Sequence, residues 1–572
     1  MNGRIAETTI VVFGAGINGA ALARELLLSG VSVAVVDTAD IASGATAWST
    51  RLVHGGLRYL EYGEFGLVRE SLRERGRLVR LAPHLVRPLE FYLPVAGRLG
   101  GLVTAAARLM GLESLARACS GHRGRGGWAI AIGLALYDLL AAGSGWPRHR
   151  MVRAGRPGQP AVDATRYPLA GIYSDAQMLF PERFTVELLV DARRIAQETG
   201  ARFSLFTHHA ASLGPDGRLR LEPLAGARDG AGGGIELEPA AVINATGAWV
   251  DRTLASVLPA DSTPPLIGGT KGSHLILRAP ALRSALGAYG VYAEAADGRP
   301  VFVLPFGERL VLVGTTDIPF TGDPAAAHAD EEEIDYLLRA VARIFPAAAV
   351  RREDVAQHYC GVRPLPAARA DGTTAAITRR HLLVRQREAP LPCWSIVGGK
   401  LTTCRSLAES AAREVLGALG VSVHGTSRDR PLPGACEGPS RAAAEKLVET
   451  RVTAAGASAD TARVVARRLV DLFGARGPEV CAALEPQAPL IADTGLPAAA
   501  VRWCVREEWA ASLEDVMERR LMLSFDERLT RQAVEEAARV LVQEGVLRQD
   551  RLEAEVDGFV RHLRDRYGKD VT

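Results

Sequence analysis

The stretch Thr9-Ile10-Val11-Val12-Phe13-Gly14-Ala15-Gly16-Ile17-Asn18-Gly19 decides the fold. Thr9 to Phe13 reads as a short buried strand, and the Ala/Leu-rich Ala20 to Leu28 reads as the helix that follows a glycine turn. In such a turn the first glycine permits the tight bend and the second lets backbone amides approach a pyrophosphate. The third lets helix and strand pack closely, with the helix N-terminus facing the phosphates. Val31 to Val36 supplies a second strand that ends at Asp37, 23 positions after Gly14. A carboxylate there is placed to accept hydrogen bonds from a ribose diol. Gly14, Gly16, Gly19 and Asp37 therefore predict a bound dinucleotide in a Rossmann-like α/β domain.

Composition suits a large enzyme. At 572 residues the chain has room for about three or four domains. With Lys+Arg 68 against Asp+Glu 65, the net charge of +3 gives no basis for a nucleic-acid partner. Only Lys271, Lys400, Lys446 and Lys569 are lysine, so those kept near motifs are candidates for a compact point charge where a planar guanidinium is too large. The 7 cysteines form no Cys-x-x-Cys pair and no metal-ligand spacing, which predicts a reducing cytoplasm and no metal. The first strand starts too early for a cleavable signal. The longest apolar run, Trp128 to Tyr137, ends at Asp138, well short of the ~20 residues of a spanning helix. Leu102 to Met110 and Trp128 to Leu140 read instead either as two core helices with solvated arginines or as an interfacial helix pair. In the second reading Arg117, Arg123, Arg125, Arg148, Arg150 and Arg153 would face anionic head groups, with Trp128 and Trp146 near the edges.

Further along, Phe203 to Leu213 and Arg218 to Leu221 bracket a Gly-Pro-Asp-Gly turn, and Val301 to Pro305 pairs with Arg309 to Gly314. The apolar run Ala241 to Asn244 leads into Ala245-Thr246-Gly247, small residues that admit a nucleotide closely. Four clusters then carry charge or imidazole beside glycine or threonine at the ends of apolar runs: Lys271-Gly272-Ser273-His274, Gly314-Thr315-Thr316-Asp317, Gly361-Val362-Arg363-Pro364 with Thr378-Arg379, and Gly398-Gly399-Lys400-Leu401-Thr402-Thr403. Arg58, Lys271, Arg363, Arg379 and Lys400 are the candidate cations for a doubly charged phosphate, and His274 is the candidate base. Past Pro433 the pattern turns helical and Ala/Arg/Glu-rich.

Together with Leu52-Val53-His54-Gly55-Gly56-Leu57-Arg58-Tyr59-Leu60 and Val501-Arg502-Trp503-Cys504-Val505-Arg506-Glu507-Glu508, these motifs resemble the FAD-dependent, quinone-linked glycerol-3-phosphate dehydrogenases over most of the chain. The resemblance implies a discontinuous Rossmann-like FAD-binding domain (1–95, 165–260 and 355–425), between whose segments the apolar, arginine-flanked pattern of 96–164 reads as a helical insertion that could contact a membrane surface. It implies an antiparallel β-sheet substrate domain at 261–354 and an all-helical C-terminal domain at 430–572. Carried over residue by residue, Arg58, Tyr59, His274, Arg363, Arg379 and Lys400 line the substrate pocket. His274 would be the proton acceptor and Arg363 and Arg379 the main phosphate clamps. FAD would be held non-covalently by Gly14, Gly16, Asn18, Gly19, Asp37, Ser49, Thr50, His54, Gly55, Gly56, Thr246, Gly247, Gly399, Lys400, Leu401 and Thr402. The implied partners are glycerol 3-phosphate, a quinone and the inner face of the cell membrane, with a homodimer as the assembly.

Departures from the family pattern bear on substrate and acceptor. Ala176 to Phe184, after Tyr173-Ser174-Asp175, differs in a segment expected to border the pocket, Val95 to Gly127 has no counterpart in the family, and Cys404 stands where an aromatic is expected. The alternatives are a flavin oxidase that uses oxygen, a dehydrogenase of a hydroxy or amino acid, a flavin-binding redox sensor, and a nicotinamide enzyme. A carboxylate substrate needs fewer cations than the set found here, which ranks phosphate first.

Overall fold

The structure is a computed structural model that describes residues 9–97, 126–214, 216–227, 234–257, 265–367, 381–435, 438–484 and 490–571. Strand β1 (Ile10–Phe13), helix α1 (Ile17–Leu27) and strand β2 (Val33–Val36) form the expected unit. They sit in a six-stranded sheet ordered Leu382–Gln386, Cys393–Val397, Ala241–Asn244, β1, β2, Phe203–Phe206, parallel except at the first pair. The unbroken apolar run of β1 follows from burial on both faces. Ile10 and Val12 pack with α1 and the helices Pro181–Thr199 and Cys404–Ala418, while Val11 and Phe13 pack on the opposite side with Leu219 and Leu221. Phe203 to Leu213 does not continue as one strand. It breaks before His209–Leu213, which joins a separate three-stranded sheet, and His208 at the break adopts a left-handed φ of 57°.

A second sheet of ten strands carries the rest of the site. Its centre is Thr270–Leu277, flanked by Leu310–Gly314 and Val355–Arg363, and beyond these lie Pro300–Phe306, Gly290–Glu294, Val86–Val95 and Leu169–Met178. All these pairs are antiparallel except Gly290–Glu294 with Val86–Val95. The sheet thus draws strands from 52–53, 86–95, 169–178 and 355–363, segments that the sequence reading gave to the flavin domain. Within 96–164 the described residues add one helix, Gly127–Leu140, and one edge strand, Arg150–Arg153.

Alternation along the second sheet divides its two cores. Leu275, Leu277, Val311 and Val313 face the helix Glu331–Ile344, whereas Ile276, Leu312 and Tyr359 join a core continuous with the C-terminal helices. Those helices include Arg441–Ala454, Ala459–Phe473, Ala498–Glu507, Arg531–Gln543 and Leu552–Tyr567. Ser440, Ser458 and Thr530 start three of them by accepting a backbone N–H with the side-chain oxygen. The region is not wholly helical, because Leu490–Ile491 and Leu496–Pro497 form a short ribbon.

Candidate active site

A single cavity of about 810 Å³ runs from the glycine turn after β1 to the face of the second sheet, a size within the range of cofactor and ligand sites. At its first end the carboxyl ends of β1, β2, Ala241–Asn244 and Cys393–Val397 converge, the usual place for a ligand in an open α/β sheet. Gly14 adopts φ +99°, and a Cβ there would lie 2.7 Å from the Ala245 carbonyl oxygen, so the turn admits only glycine. Gly19 does not line the cavity; a Cβ on it would strike the Gly14 carbonyl, so its role is helix–strand packing. Asp37 accepts from the Ala15 amide at 2.7 Å and the Ala39 amide at 2.9 Å, which fixes both carboxylate oxygens and leaves each a free lone pair. Burial pushes its carboxyl up to about 6, against the pull of those two amides.

Around this end lie Ser49, Thr50, His54, Gly56, Thr246, Gly247, Gly399, Leu401 and Thr402, each as a lining residue. Thr246 is oriented by Asn244, whose side-chain oxygen accepts from the Thr246 hydroxyl at 2.7 Å. Gly399 at φ +110° closes on Asn18, whose amide donates to the Gly398 carbonyl at 3.3 Å. The buried Asn18 Oδ1 has no hydrogen-bond partner among the described residues and awaits a donor. Gly55 is set back from the cavity. Its amide donates to Tyr137 Oη and Asp175 Oδ1, both at 3.1 Å, and a Cβ would run into the Tyr137 hydroxyl.

The other end is built on Thr270–Leu277 and its neighbour Val355–Arg363, where Thr270 opposes Arg363 and His274 opposes Tyr359. His274 stacks on Tyr359 at 4.8 Å between ring centres, and its Nε2 lies 2.9 Å from Thr50 Oγ1. Burial, and then the positive charges of Arg363 and Arg51, hold the imidazole well below the ordinary histidine range, so it is neutral at pH 7. The Arg363 guanidinium is forked, with Nη1 donating to Asp317 at 2.9 Å and Nη2 donating to Thr315 Oγ1 at 2.9 Å and the Thr316 carbonyl at 3.0 Å. A Cβ on Gly272 would sit 2.7 Å from Arg363 Cζ, so glycine there makes room for the guanidinium. Arg58 and Tyr59 come from the 3₁₀ turn Leu57–Tyr62, and Lys400 Nζ lies 3.8 Å from the centre of the Tyr59 ring. Tyr173, Tyr292, Phe91 and Phe302 form an aromatic wall.

Of the expected cations, Lys271 is not at the cavity. Its Nζ is ion-paired to Glu333 at 2.7 Å and Asp330 at 2.9 Å and ties the strand to the helix Glu331–Ile344. Arg379 lies outside the described residues. Ala176 to Phe184 does not border the cavity either, because only Tyr173 and Asp175 of that strand reach it. Cys404 is buried at the start of the helix Cys404–Ala418.

Sequence reading missed three arginines that line the cavity: Arg51, Arg252 and Arg299. Arg51 is fully buried and forks onto Glu182 at 2.7 and 2.9 Å, a pairing between residues 131 apart with no local signature.

The membrane-facing expectation is changed in part. Among the described residues no helix is long and apolar enough to cross a membrane. Gly127–Leu140 does leave Trp128, Ile132 and Leu139 exposed at 59, 60 and 70%. However, Arg150 pairs with Glu90 at 2.8 Å, and Trp146 turns inward under the Arg75 guanidinium at 3.9 Å. Leu102 to Met110 and Arg117, Arg123 and Arg125 lie outside the described residues.

The model of the family described as FAD dependent oxidoreductase matches residues 9–387, and that of the C-terminal domain of alpha-glycerophosphate oxidase matches 426–552. A glycerol-3-phosphate dehydrogenase of Synechocystis sp. is 34% identical over 90% of this chain and 89% of its own length. A D-erythritol 1-phosphate dehydrogenase of Brucella abortus is 32% identical over 89% of this chain and 93% of its own. In fold, the chain is similar to the glycerol-3-phosphate dehydrogenase from Bacillus halodurans complexed with FAD, with a TM-score of 0.70 and 21% identity, over 98% of this chain and 95% of that one.

Proposed function

The chain belongs to the FAD-dependent oxidoreductase family, and on that premise we propose that it oxidises sn-glycerol 3-phosphate to dihydroxyacetone phosphate, with the electrons passing to a quinone. The observation that carries this reading is the meeting of Arg363, Arg58 and Lys400 with a neutral His274 in one cavity. The residues present suit FAD: Gly14 clears the pyrophosphate approach, Asp37 retains lone pairs for a ribose diol, and Asn18 Oδ1 is a buried acceptor in need of a donor. We assign the six-stranded sheet with its helices to flavin binding and the ten-stranded sheet to the substrate.

FAD, when bound, supplies a two-electron hydride acceptor. Arg363, with Arg379 from outside the described residues, holds the phosphate, and Arg58 and Lys400 add positive charge near the reacting carbon. His274 takes the proton of the secondary hydroxyl at Nε2, the nitrogen that now faces Thr50. Support for a quinone and a membrane surface comes from the exposed Trp128, Ile132 and Leu139. They lie on the same helix as the buried Tyr137, which contacts Gly55 beside the cavity. A homodimer is the proposed assembly, which light scattering of the purified protein tests.

The test of substrate is anaerobic absorbance of the flavin bands before and after glycerol 3-phosphate, with D-erythritol 1-phosphate, lactate and a D-amino acid as comparisons. Bleaching by glycerol 3-phosphate is expected. Bleaching by D-erythritol 1-phosphate alone would move the reading to the longer polyol phosphate that the Brucella abortus relative is named for.

Asp37 makes flavin affinity depend on pH. Its carboxyl is raised from 3.8 to about 6, so between these values the folded apoprotein holds a proton that the unfolded chain does not. This group's contribution to apoprotein stability therefore falls as pH rises from about 4 to 6. A ribose diol donates more strongly to the ionised carboxylate than to the neutral acid, so the Kd for FAD should rise as pH falls below 6, by at most about tenfold per pH unit. Fluorescence titration of apoprotein from pH 5 to pH 7.5 measures it, and a constant Kd would remove Asp37 as the ribose partner.

A further inference from the structure

The loop after Asp37 is held from the far end of the chain. Ala42 and Arg51 are left-handed at φ 60° and 59° although neither is glycine, so the conformation of this loop needs support from its surroundings. Asp40, 1% exposed, provides one anchor. Its carboxylate accepts from Arg519 Nε at 2.6 Å and from Arg520 Nη1 and Nη2 at 2.6 and 2.8 Å. Both arginines belong to the π-helical turn Asp515–Arg520, some 480 positions away in sequence. Trp48 provides a second anchor, because the Arg566 guanidinium lies 4.5 Å from its ring centre and Tyr567 hydrogen-bonds it. Arg566 is itself fixed by donating to the carbonyls of Ala325 and Ala327 at 2.8 and 2.9 Å.

Between these anchors Ser43, Gly44 and Thr46 line the cavity, as do Trp48 itself and Thr50 beyond it, whereas Arg519, Arg520 and Arg566 do not. The loop is also stitched to the dinucleotide turn. Thr46 Oγ1 accepts the Ile17 amide at 3.1 Å, Ala42 donates to the Ala15 carbonyl at 3.1 Å, and Ala39 donates to Asp37. Asp40 thus lies three residues from Asp37 in a loop tied to the dinucleotide turn. Asp40, His208 and Asp515 bring ligand atoms within 4.8 Å of one another, but Arg519 and Arg520 supply the counter-charge there.

We infer that the C-terminal segment is a flavin-retention element. Arg519 and Arg520 through Asp40, and Arg566 through Trp48, are positioning residues that keep the 38–51 loop in the form that closes over FAD. The inference rests on FAD as the cofactor. Two charge-assisted clamps on one buried carboxylate give the loop a defined place, and loss of Arg520 would remove the two-bond fork and leave Asp40 held through Arg519 alone.

The test uses the full chain, stripped of flavin and titrated with FAD by fluorescence, as wild type, R520Q, R520K and R566Q. The Kd for FAD should rise about a hundredfold in R520Q and about fivefold in R566Q, with partial recovery in R520K. Turnover at saturating FAD should stay within about twofold of wild type, and the thermal midpoint of apo-R566Q should match that of the wild-type apoprotein. If R520Q does not fold, R566Q decides, since its side chain lies at the half-buried edge of the contact. A wild-type Kd in R566Q and in folded R520Q overturns the inference, as does a Kd rise matched by an equal loss of apoprotein stability. A wild-type chain that takes up no FAD overturns the cofactor reading instead, and this inference with it.

Discussion

His274→Gln lowers the rate of flavin reduction by glycerol 3-phosphate by about 10²–10⁴-fold while the protein keeps its flavin. Glutamine approximates the volume and can still meet Thr50 Oγ1, now 2.9 Å from Nε2, but it has no basicity at neutral pH. The loss therefore isolates proton acceptance from packing. Low basicity in His274 has a second consequence. Because burial and the charge of Arg363 hold its pKa well below 6.5, the imidazole stays neutral as pH falls past the ordinary histidine value. The acid limb of kcat/KM, which reports the free enzyme, should accordingly lie below pH 6.5. The same depression works against the fold in acid. Below about pH 6.5 the unfolded chain takes up a proton that the buried ring refuses, so stability from this group is lost as pH falls. Anaerobic stopped-flow reduction of wild type and variant measures the rate. A variant reduced within twofold of wild type would take His274 out of the chemistry.

How far the site could be read in the chain follows from the range of the interactions that build it. Gly14, Gly16 and Asp37 belong to one local strand–helix–strand unit, and their spacing carried the reading. The four charged clusters lie where strands meet the cavity, so His274, Arg363 and Lys400 were also legible. Lys271 shows what was overlooked. Residues two apart on a strand share a face, so Gly272 and His274 go with Thr270, the partner of Arg363 across the sheet, while Lys271 faces the other way. Lys271 and His274 differ by an odd number of positions and could not both enter one cavity from a regular strand. Sheet membership was not legible, because the pairing of Val86–Val95 with Leu169–Met178 on one side and Gly290–Glu294 on the other joins distant segments. Such pairings leave no periodic trace in either partner. The Arg51–Glu182 fork and the Asp40–Arg520 clamp were hidden for the same reason.

Arg363→Ala reduces kcat/KM for glycerol 3-phosphate by about 10- to 150-fold, the equivalent of about 1.5–3 kcal/mol for a charge-assisted hydrogen bond to the phosphate. The Arg363 side chain is 31% exposed, and its fork is already aimed by Asp317, Thr315 and Thr316. Little side-chain ordering thus remains for the substrate to bring about. Arg363→Lys should recover only part of the loss, because an ammonium cannot keep the planar fork onto Asp317, Thr315 and Thr316 that sets the charge in place. The expected change is mainly in KM, as phosphate binding is shared by the ground and transition states. A second readout separates this role from simple support of the strand. Arg363 is the first of the two charges that depress the His274 pKa, so its removal lets the imidazole become more basic and moves the acid limb of kcat/KM to higher pH. A rise in KM together with that upward movement identifies a phosphate clamp seated beside the base. Unchanged KM with an unmoved acid limb would remove Arg363 from the pocket and leave the phosphate to Arg58 and Lys400.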